Sequence, residues 1–275
     1  MRVKIGYNMT APHHLEMVNA FFTDGQIDYV ELLADNFFNI QASEIEKIKA
    51  PLALHIMRSA FLEQTRAHLS NMAKSIQAIM AIRPMLYVSD RILKFSHNGH
   101  SLPYLQEIDY PDIIKSPDAF HARLRFWMAE MGTEIFFENA ASLDARGTSQ
   151  HHFIEQVLIP SGGGILLDLT NLFISIKNGG AVLDDWKNII SKARHLHIGS
   201  YNLSSVDTAF HIDSHASEIS EEFEQFCHQI LPLINLNADI YVTYERDAQE
   251  DIASVSLDLS RTREMFRLDR HVIFS

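Results

Sequence analysis

The chain has 275 residues, which suits one large α/β barrel or two ordinary domains, and its 47% hydrophobic and 21% charged residues are typical of a globular protein. An excess of 35 acidic over 23 basic residues disfavours a nucleic-acid partner, because such binding depends largely on Lys and Arg. The single cysteine, Cys227, excludes an internal disulfide, and no apolar run reaches the length of about 18 residues that indicates a membrane span. The opening residues lack a signal-peptide pattern, so we expect a soluble, cytoplasmic protein with no membrane partner.

Short apolar runs rich in β-branched and aromatic residues recur along the chain, and each is followed by a stretch with helical character. Their nearly continuous apolar character is typical of parallel strands covered on both faces. The predicted strands are Val3–Asn8, Ile27–Leu33, Leu52–Ile56, Met85–Ser89, Glu134–Glu138, Gly164–Asp168, His195–Gly199 and Ile240–Glu245.

The segments between the strands carry helix start and stop signals. Ser43-x-x-Glu46 resembles a capping box, and Ser116-Pro117 predicts the start of a helix that Gly132 ends. Two longer helices are predicted over Leu62–Arg83 and Ser217–Leu231.

Eight strands that alternate with helices predict a single-domain (β/α)8 TIM barrel over residues 1–275. A doubly wound open sheet is the alternative. The glycine run Gly162–Gly164 precedes a strand instead of joining a strand to a helix, so it does not support a nucleotide-binding turn.

Potential metal ligands lie at the ends of five of these strands and in two of the loops that follow. In a TIM barrel these positions meet on one rim, where catalytic groups lie. The candidates are His55, Glu138, Asp168, Asn171, His197, Asp213, His215 and Glu245.

Several carboxylates on one buried rim require cations, and imidazoles beside them favour a divalent transition metal over Mg²⁺ or Ca²⁺. The set is large enough for more than one ion, with Glu138 as the natural bridge.

Each residue also has a simpler interpretation. Glu138 and Asp168 suit rim acids that cap the next helix, Asp213 and His215 suit a solvated loop, and Glu245 suits an ion pair with Arg246.

The remaining histidines and the cysteine are weaker candidates. His97 follows the fourth strand and is a possible neighbour of the site, whereas His195 is expected to face away from His197 as a structural residue. Cys227 is expected to be a small buried hydrophobe. The pairs His13-His14 and His151-His152 are expected to be exposed.

Taken in order, the strand-end motifs resemble the MbnB-type proteins of methanobactin biosynthesis, a branch of a family of TIM-barrel, multinuclear-iron enzymes that act on ribosomal peptides. The resemblance extends over nearly the whole chain, from Ile5-Gly6-Tyr7-Asn8 past Ser96-His97-Asn98-Gly99 to the segment after Asp247. The other motifs are Glu138-Asn139, Leu167-Asp168-x-x-Asn171, His195-Leu196-His197-Ile198-Gly199, Asp213-Ser214-His215 and Tyr244-Glu245-Arg246-Asp247.

The resemblance implies an oxidase that uses iron and O₂, with an MbnC-type partner protein, to convert cysteines of a precursor peptide into oxazolone and thioamide groups that later bind copper. It implies two or three iron ions of mixed Fe(II)/Fe(III) state, held by the eight candidates above. It also implies that Asp247 takes part in proton transfer beside the cluster.

One position departs from the family pattern. A Ser-Asp-His sequence is expected after the fourth strand, but this chain reads Ser89-Asp90-Arg91, so two irons become the expected number.

Two other functions stay open. One is a metal-dependent hydrolase or isomerase of the AP-endonuclease or sugar-isomerase type. The other is a metal-binding scaffold whose coordination shell is saturated.

Overall fold

The computed structural model describes residues 2–97, 100–235, 237–247 and 251–267. Eight parallel strands close into a barrel in their order along the chain, and the last of them pairs with the first. All eight predicted strands are confirmed, two of them with identical bounds and six with shifts of one or two residues at an end. They are β1 (Val3–Met9), β2 (Tyr29–Leu33), β3 (Leu52–Ile56), β4 (Met85–Arg91), β7 (Phe136–Glu138), β8 (Gly164–Asp168), β9 (His195–Ile198) and β12 (Ile240–Tyr244).

Two antiparallel hairpins that the sequence did not predict follow the fourth and seventh barrel strands. The first pairs β5 (Leu93–His97) with β6 (His100–Glu107), and the second pairs β10 (Tyr201–Leu203) with β11 (His211–Asp213). Asn98 and Gly99, part of one family motif, lie outside the described residues.

The helices cover the outside of the barrel, and four of their predicted starts are wrong. The helices are α1 (Leu15–Thr23), α2 (Ala42–Glu46), α3 (Arg66–Ile82), α4 (Tyr110–Lys115), α5 (Asp118–Met131), α6 (Gln150–Phe153), α7 (Leu169–Lys177), α8 (Leu183–Lys192), α9 (Glu221–Ile230) and α10 (Ile252–Met265).

The N-caps of four helices differ from the predicted ones. Gln41, not Ser43, is at the N-cap of α2 and makes no side-chain cap, and Pro117 replaces Ser116 at the N-cap of α5. Thr65 and Ser220 cap α3 and α9, so both helices begin later than predicted.

These predicted starts are wrong because a serine caps a helix only where its own backbone is extended and its side chain reaches a free N–H group of the first turn. Tertiary packing decides at which residue this happens. The predicted end of α5 is confirmed, since Gly132 adopts a left-handed conformation with φ of 69°. Among the helices of the described ranges, none has the length and apolar character to cross a bilayer.

The barrel interior is divided into an aromatic floor and a polar upper layer. The floor contains Tyr29, Tyr87, Phe136, Tyr241 and His195, whose rings contact one another. The Tyr29 ring fills the space beside Gly6, where a Cβ would lie only 2.3 Å from it. Because side chains two residues apart share a face of a strand, the residues two positions further along these strands face the upper layer.

The prediction that His195 faces away from His197 is therefore wrong. The two residues are two positions apart on β9, so both side chains point into the barrel, His195 in the floor and His197 above it. The expected structural role fits this position, because His195 is buried against the rings of Tyr87 and Phe136. Burial lowers the pKa of His195 to about 3, so it is neutral at physiological pH.

Cys227 is fully buried on α9, as predicted. Burial raises the pKa of its thiol far above the usual range, which keeps the sulfur protonated and unreactive.

Candidate metal centre

The carboxyl ends of the barrel strands bring most of the predicted ligands into one buried cluster. His55, Glu138, Asp168, His197 and Glu245 are each at most 6% exposed, and Asn171 and His215 are also buried. Asp213 is half-buried and Asp247 is exposed. One potential ligand atom from each of Glu138, Asp168, His197 and Glu245 lies within 4.8 Å of the others.

His197 is the centre of this cluster, and its two ring nitrogens face different carboxylates. Its Nε2 lies 2.9 Å from Glu31 Oε1, and its Nδ1 lies 3.3 Å from Glu245 Oε1. Since Nε2 is engaged by Glu31, Nδ1 is the nitrogen that remains for a metal on the Glu245 side. A carboxylate that holds the far nitrogen of a metal-binding histidine is a common arrangement in metal sites.

Glu31 on β2 is a functional residue that the sequence reasoning missed. It is 1% exposed and forms a second potential metal group with His55 and His197. Tyr87 donates a hydrogen bond of 2.5 Å to Glu31 Oε2, and Thr243 links the hydroxyls of Tyr87 and Tyr29. The available signal was a lone acid inside an apolar strand, because a buried carboxylate needs a partner.

His55 at the end of β3 faces the cluster from the opposite side. Its Nδ1 is 2.9 Å from Ser89 Oγ, and its Nε2 is 3.3 Å from Glu138 Oε2. The Ser89 contact fixes the ring, and Nε2 is directed at the carboxylates.

Asp168 combines a capping role with a place in the cluster. Its Oδ1 accepts the backbone N–H of Asn171 at the start of α7, which is the simpler role considered for this residue. Its Oδ2 is buried without a hydrogen-bond partner among the described residues. Asn171 Nδ2 donates to Glu138 Oε1 at 3.0 Å, which leaves Asn171 Oδ1 as its potential ligand atom.

The end of β11 and the loop that follows it bring Asp213 and His215 to the cluster. His215 Nε2 is 2.6 Å from Asp213 Oδ1, and His215 Nδ1 is 3.5 Å from Glu245 Oε2. His215 has a φ of 45°, a conformation that costs energy for a residue other than glycine. Gly199 makes room for its ring, because a Cβ there would lie 2.8 Å from His215 Cδ2.

Backbone hydrogen bonds hold this strained residue from both sides. The N–H of His215 donates to Ser200 O at 3.1 Å, and the N–H of Asp247 donates to His215 O at 2.8 Å. The loop is therefore fixed with its side chains facing the cluster, which is incompatible with a freely solvated loop.

Arg91 at the end of β4 enters the cluster at the position where the resemblance led us to expect a histidine. Its Nε and Nη2 donate to Glu138 Oε2 and Oε1 at 2.6 and 3.0 Å, a bidentate ion pair. The neighbouring Asp90 faces outwards, where its Oδ2 accepts from Trp127 Nε1 at 2.8 Å. Alternation along β4 then directs Arg91 inwards.

Burial and mutual charge shift the pKa values in the cluster strongly. Burial and the nearby Glu138 raise the pKa of Asp168 well above its usual range, whereas burial and Arg91 lower that of His55. Burial opposes protonation of His215, but Asp213 and Glu245 raise its pKa to about 10. Such opposed shifts within one cleft are typical of functional sites.

The hydrogen bonding of the buried polar atoms indicates whether these residues fit a metal ion. Buried polar atoms are normally hydrogen-bonded. Several potential ligand atoms have no partner in hydrogen-bonding geometry within the part of the chain that the structure describes, although some lie at ion-pair distance from another cluster residue. They are His55 Nε2, Asp168 Oδ2, Asn171 Oδ1, His197 Nδ1, Asp213 Oδ1, His215 Nε2 and Glu245 Oε2. This mixture of nitrogen and oxygen donors fits divalent transition metals.

An open pocket of about 170 Å³ lies above the cluster. Its lining includes Arg91, Asp213, His215, Glu245 and Asp247. A ligand in this pocket would reach both the metal-binding atoms and the Asp247 carboxylate. Although the Asp247 side chain as a whole is exposed, partial burial of its carboxyl group raises its pKa, and the nearby His215 opposes this shift.

The structure also decides two other interpretations made from the sequence, those of Glu245 and of His97. Glu245 contacts His197 and His215, whereas Arg246 Nη1 lies 3.4 Å from Asp258 Oδ2, so the expected Glu245–Arg246 pair does not form. His97 is exposed at the end of β5 in the first hairpin.

The expectation of exposed histidine pairs is correct for His13 and His152, but wrong for His151, which is 8% exposed, and for the half-buried His14. Consecutive residues on a helix point about 100° apart, so α6 buries one histidine of its pair.

Comparison with known proteins gives one family match that covers nearly the whole chain. The family described as "RiPP precursor modification enzyme MbnB/TglH/ChrH" matches residues 5–265. A UPF0276 protein of Psychromonas ingrahamii is 25% identical over 231 residues, which cover 79% of this chain and 78% of that protein. A UPF0276 protein of Chromobacterium violaceum is 21% identical, with 82% of each chain covered.

Solved structures with the same fold are more distant in sequence. A xylose isomerase-like TIM barrel protein from Mycobacterium smegmatis in complex with magnesium has a TM-score of 0.60 at 12% identity, covering 96% of this chain and 98% of that one. The 3-keto-D-glucoside 4-epimerase YcjR of E. coli has a TM-score of 0.56 at 13% identity, covering 96% and 99%. At these identities the likeness shows the TIM-barrel fold alone.

Proposed function

The chain belongs to the MbnB/TglH/ChrH family of RiPP precursor modification enzymes, and on that basis we propose that it oxidises cysteine residues of a ribosomal precursor peptide with iron and O₂. The products of the proposed reaction are oxazolone and thioamide groups, as in methanobactin-like copper chelators. The proposal includes a heterodimer with an MbnC-type partner protein, located in the cytoplasm.

One structural observation carries the metal-dependent part of this proposal. In a buried cluster, nitrogen and oxygen atoms without a partner in hydrogen-bonding geometry converge beneath an open pocket. A purely structural cluster would be expected to satisfy these atoms internally. The open pocket also argues against a scaffold with a saturated shell, because an enzyme needs an accessible position for its substrate.

The cluster residues fit a centre of two or three ions. Its proposed ligands are His55, Glu138, Asp168, Asn171, His197, Asp213, His215 and Glu245. Iron bound there would supply the one-electron chemistry by which O₂ oxidises a thiolate. The protein would orient the ligands through Glu31 and Ser89, which contact the far nitrogens of His197 and His55.

Asp247 is proposed to move a proton at the amide or thiol of the bound peptide. Its carboxyl group lines the pocket, and its backbone is fixed by the hydrogen bond to His215 O. Burial raises its pKa, which brings the carboxyl closer to the range in which it can both accept and release a proton.

The alternative of a metal-dependent hydrolase or isomerase has less support. The epimerase and the xylose isomerase-like protein share the fold of this chain at identities of only 12–13%, and a fold alone does not specify a reaction. The family match covers residues 5–265 and concerns peptide modification.

The test is anaerobic purification with metal analysis, followed by O₂ consumption in the presence of the partner and a cysteine-containing precursor peptide. We expect bound iron, O₂ uptake that requires the peptide, and a mass change at peptide cysteines. Zinc at full occupancy without iron, together with no O₂ uptake, would refute the oxidase. Cys227→Ala is the matched control and should keep its activity, because the reacting sulfur belongs to the peptide.

A further inference from the structure

We infer that the guanidinium of Arg91 occupies a cation position on Glu138, so that this chain holds two metal ions with Glu245 as their bridge. This inference rests on the proposed metal centre and specifies its composition. It replaces the sequence-based expectation that Glu138 is the bridging carboxylate.

The contacts of Glu138 leave its carboxylate little capacity to bridge two metal ions. Oε1 receives Arg91 Nη2 and Asn171 Nδ2, both at 3.0 Å. Oε2 receives Arg91 Nε at 2.6 Å and lies 3.3 Å from His55 Nε2. Each oxygen already has two nitrogen neighbours, and the bidentate guanidinium covers the edge on which a bridged ion would lie.

Glu245 has the opposite arrangement, with each oxygen directed at a different histidine. Oε1 is 3.3 Å from His197 Nδ1, and Oε2 is 3.5 Å from His215 Nδ1. Glu245 Oε2 and His197 Nδ1 have no hydrogen-bond partner in the described ranges. Glu245 therefore joins the group formed with Glu138, Asp168 and His197 to a second nitrogen donor, Nδ1 of His215.

The charges favour the same composition. Glu31, Glu138, Asp168, Asp213 and Glu245 carry −5 when ionised, and the permanent charge of Arg91 reduces this to −4. Two divalent ions would leave the centre neutral, whereas three would leave it at +2 in a buried site. Arg91 is only 11% exposed, so solvent screens this excess poorly.

His55 is the ligand most affected by this arrangement. Its Nε2 faces the Arg91-bound oxygen of Glu138, so a third ion there would have to displace the guanidinium. An imidazole in place of Arg91 removes the fixed charge and adds a nitrogen ligand beside His55 and Glu138.

The experiment counts iron per chain after anaerobic loading with Fe(II) and desalting, for the wild type, Arg91→His and Arg91→Lys. Arg91→Lys is the matched control, since it keeps the positive charge. We expect two irons in the wild type and in Arg91→Lys, and a rise toward three in Arg91→His. Three irons in the wild type, or two in a folded Arg91→His protein, would overturn the inference.

A second pair of variants decides the question if Arg91→His does not fold. Glu245→Gln should weaken the binding of both irons, whereas Glu138→Gln should weaken the binding of one at most. The reverse result would overturn the assignment of the bridge. The absence of bound iron from every variant and from the wild type would refute the proposed function itself, whereas a wild type active with three irons would refute only this inference.

Discussion

Glu31→Gln tests whether the buried carboxylate on β2 holds His197 for metal binding. In the structure Glu31 Oε1 lies 2.9 Å from His197 Nε2, and Glu31 Oε2 accepts from the Tyr87 hydroxyl. The substitution keeps the size of the side chain and removes its charge. We therefore expect the fold to survive and the affinity for metal to fall.

The magnitude follows from the type of hydrogen bond that is lost. A bond to a charged group contributes about 1.5–3 kcal/mol and a neutral one about 0.5–1.5 kcal/mol, so the substitution costs roughly 1–1.5 kcal/mol. At about 1.4 kcal/mol per factor of ten, affinity should fall about tenfold. This lies at the lower end of the range of about 10–100-fold for residues that orient metal-binding histidines.

The assay is an anaerobic Fe(II) titration against a competing chelator, with the number of bound ions measured separately. The expected result is weaker binding at unchanged stoichiometry. Thr243→Val is the matched control, because it alters the same hydroxyl network beside Tyr29 and Tyr87 without touching Glu31. Unchanged affinity would show that Glu31 does not orient His197, and the loss of one whole ion would mean that Glu31 is itself a ligand.

Three further results are expected. Asp247→Asn should keep its iron while turnover falls by about 100-fold or more, measured as peptide mass change; loss of iron instead would make Asp247 a ligand or its support. His215→Ala should lower the iron count, and an unchanged count would remove His215 from the ligand set. The metal-free protein should lose stability as pH rises from about 6.5 to about 10, because the folded-state pKa of His215 is raised to about 10 by Asp213 and Glu245 despite burial. Urea unfolding should show a loss of up to about 5 kcal/mol over this range. The same pH slope in His215→Ala would contradict the assigned pKa.

The sequence was sufficient for the barrel because each strand carries its own local pattern. The apolar runs at Leu52–Ile56 and Gly164–Asp168 coincide with β3 and β8 residue for residue. Helix starts were less predictable, as the wrong capping box at Ser43 shows, because a cap depends on a single backbone conformation.

The site was partly predictable for a related reason. Residues at strand ends must meet on one rim once the barrel closes, so His55, Glu138, Asp168 and His197 could be grouped from the sequence alone. Glu31 was missed because it lies inside its strand and not at the end. His195 was placed on the wrong face by an error in the two-residue alternation.

The sequence by itself determined the fold class and the residue types that meet at the rim, because strand periodicity and barrel closure are properties of order along the chain. Only the tertiary structure decided which atoms face one another. It paired Arg91 with Glu138, directed the two oxygens of Glu245 at different histidines, and placed His215 beside Gly199. These pairings join residues as many as 48 positions apart, and the distances between their side chains are fixed by packing across the barrel.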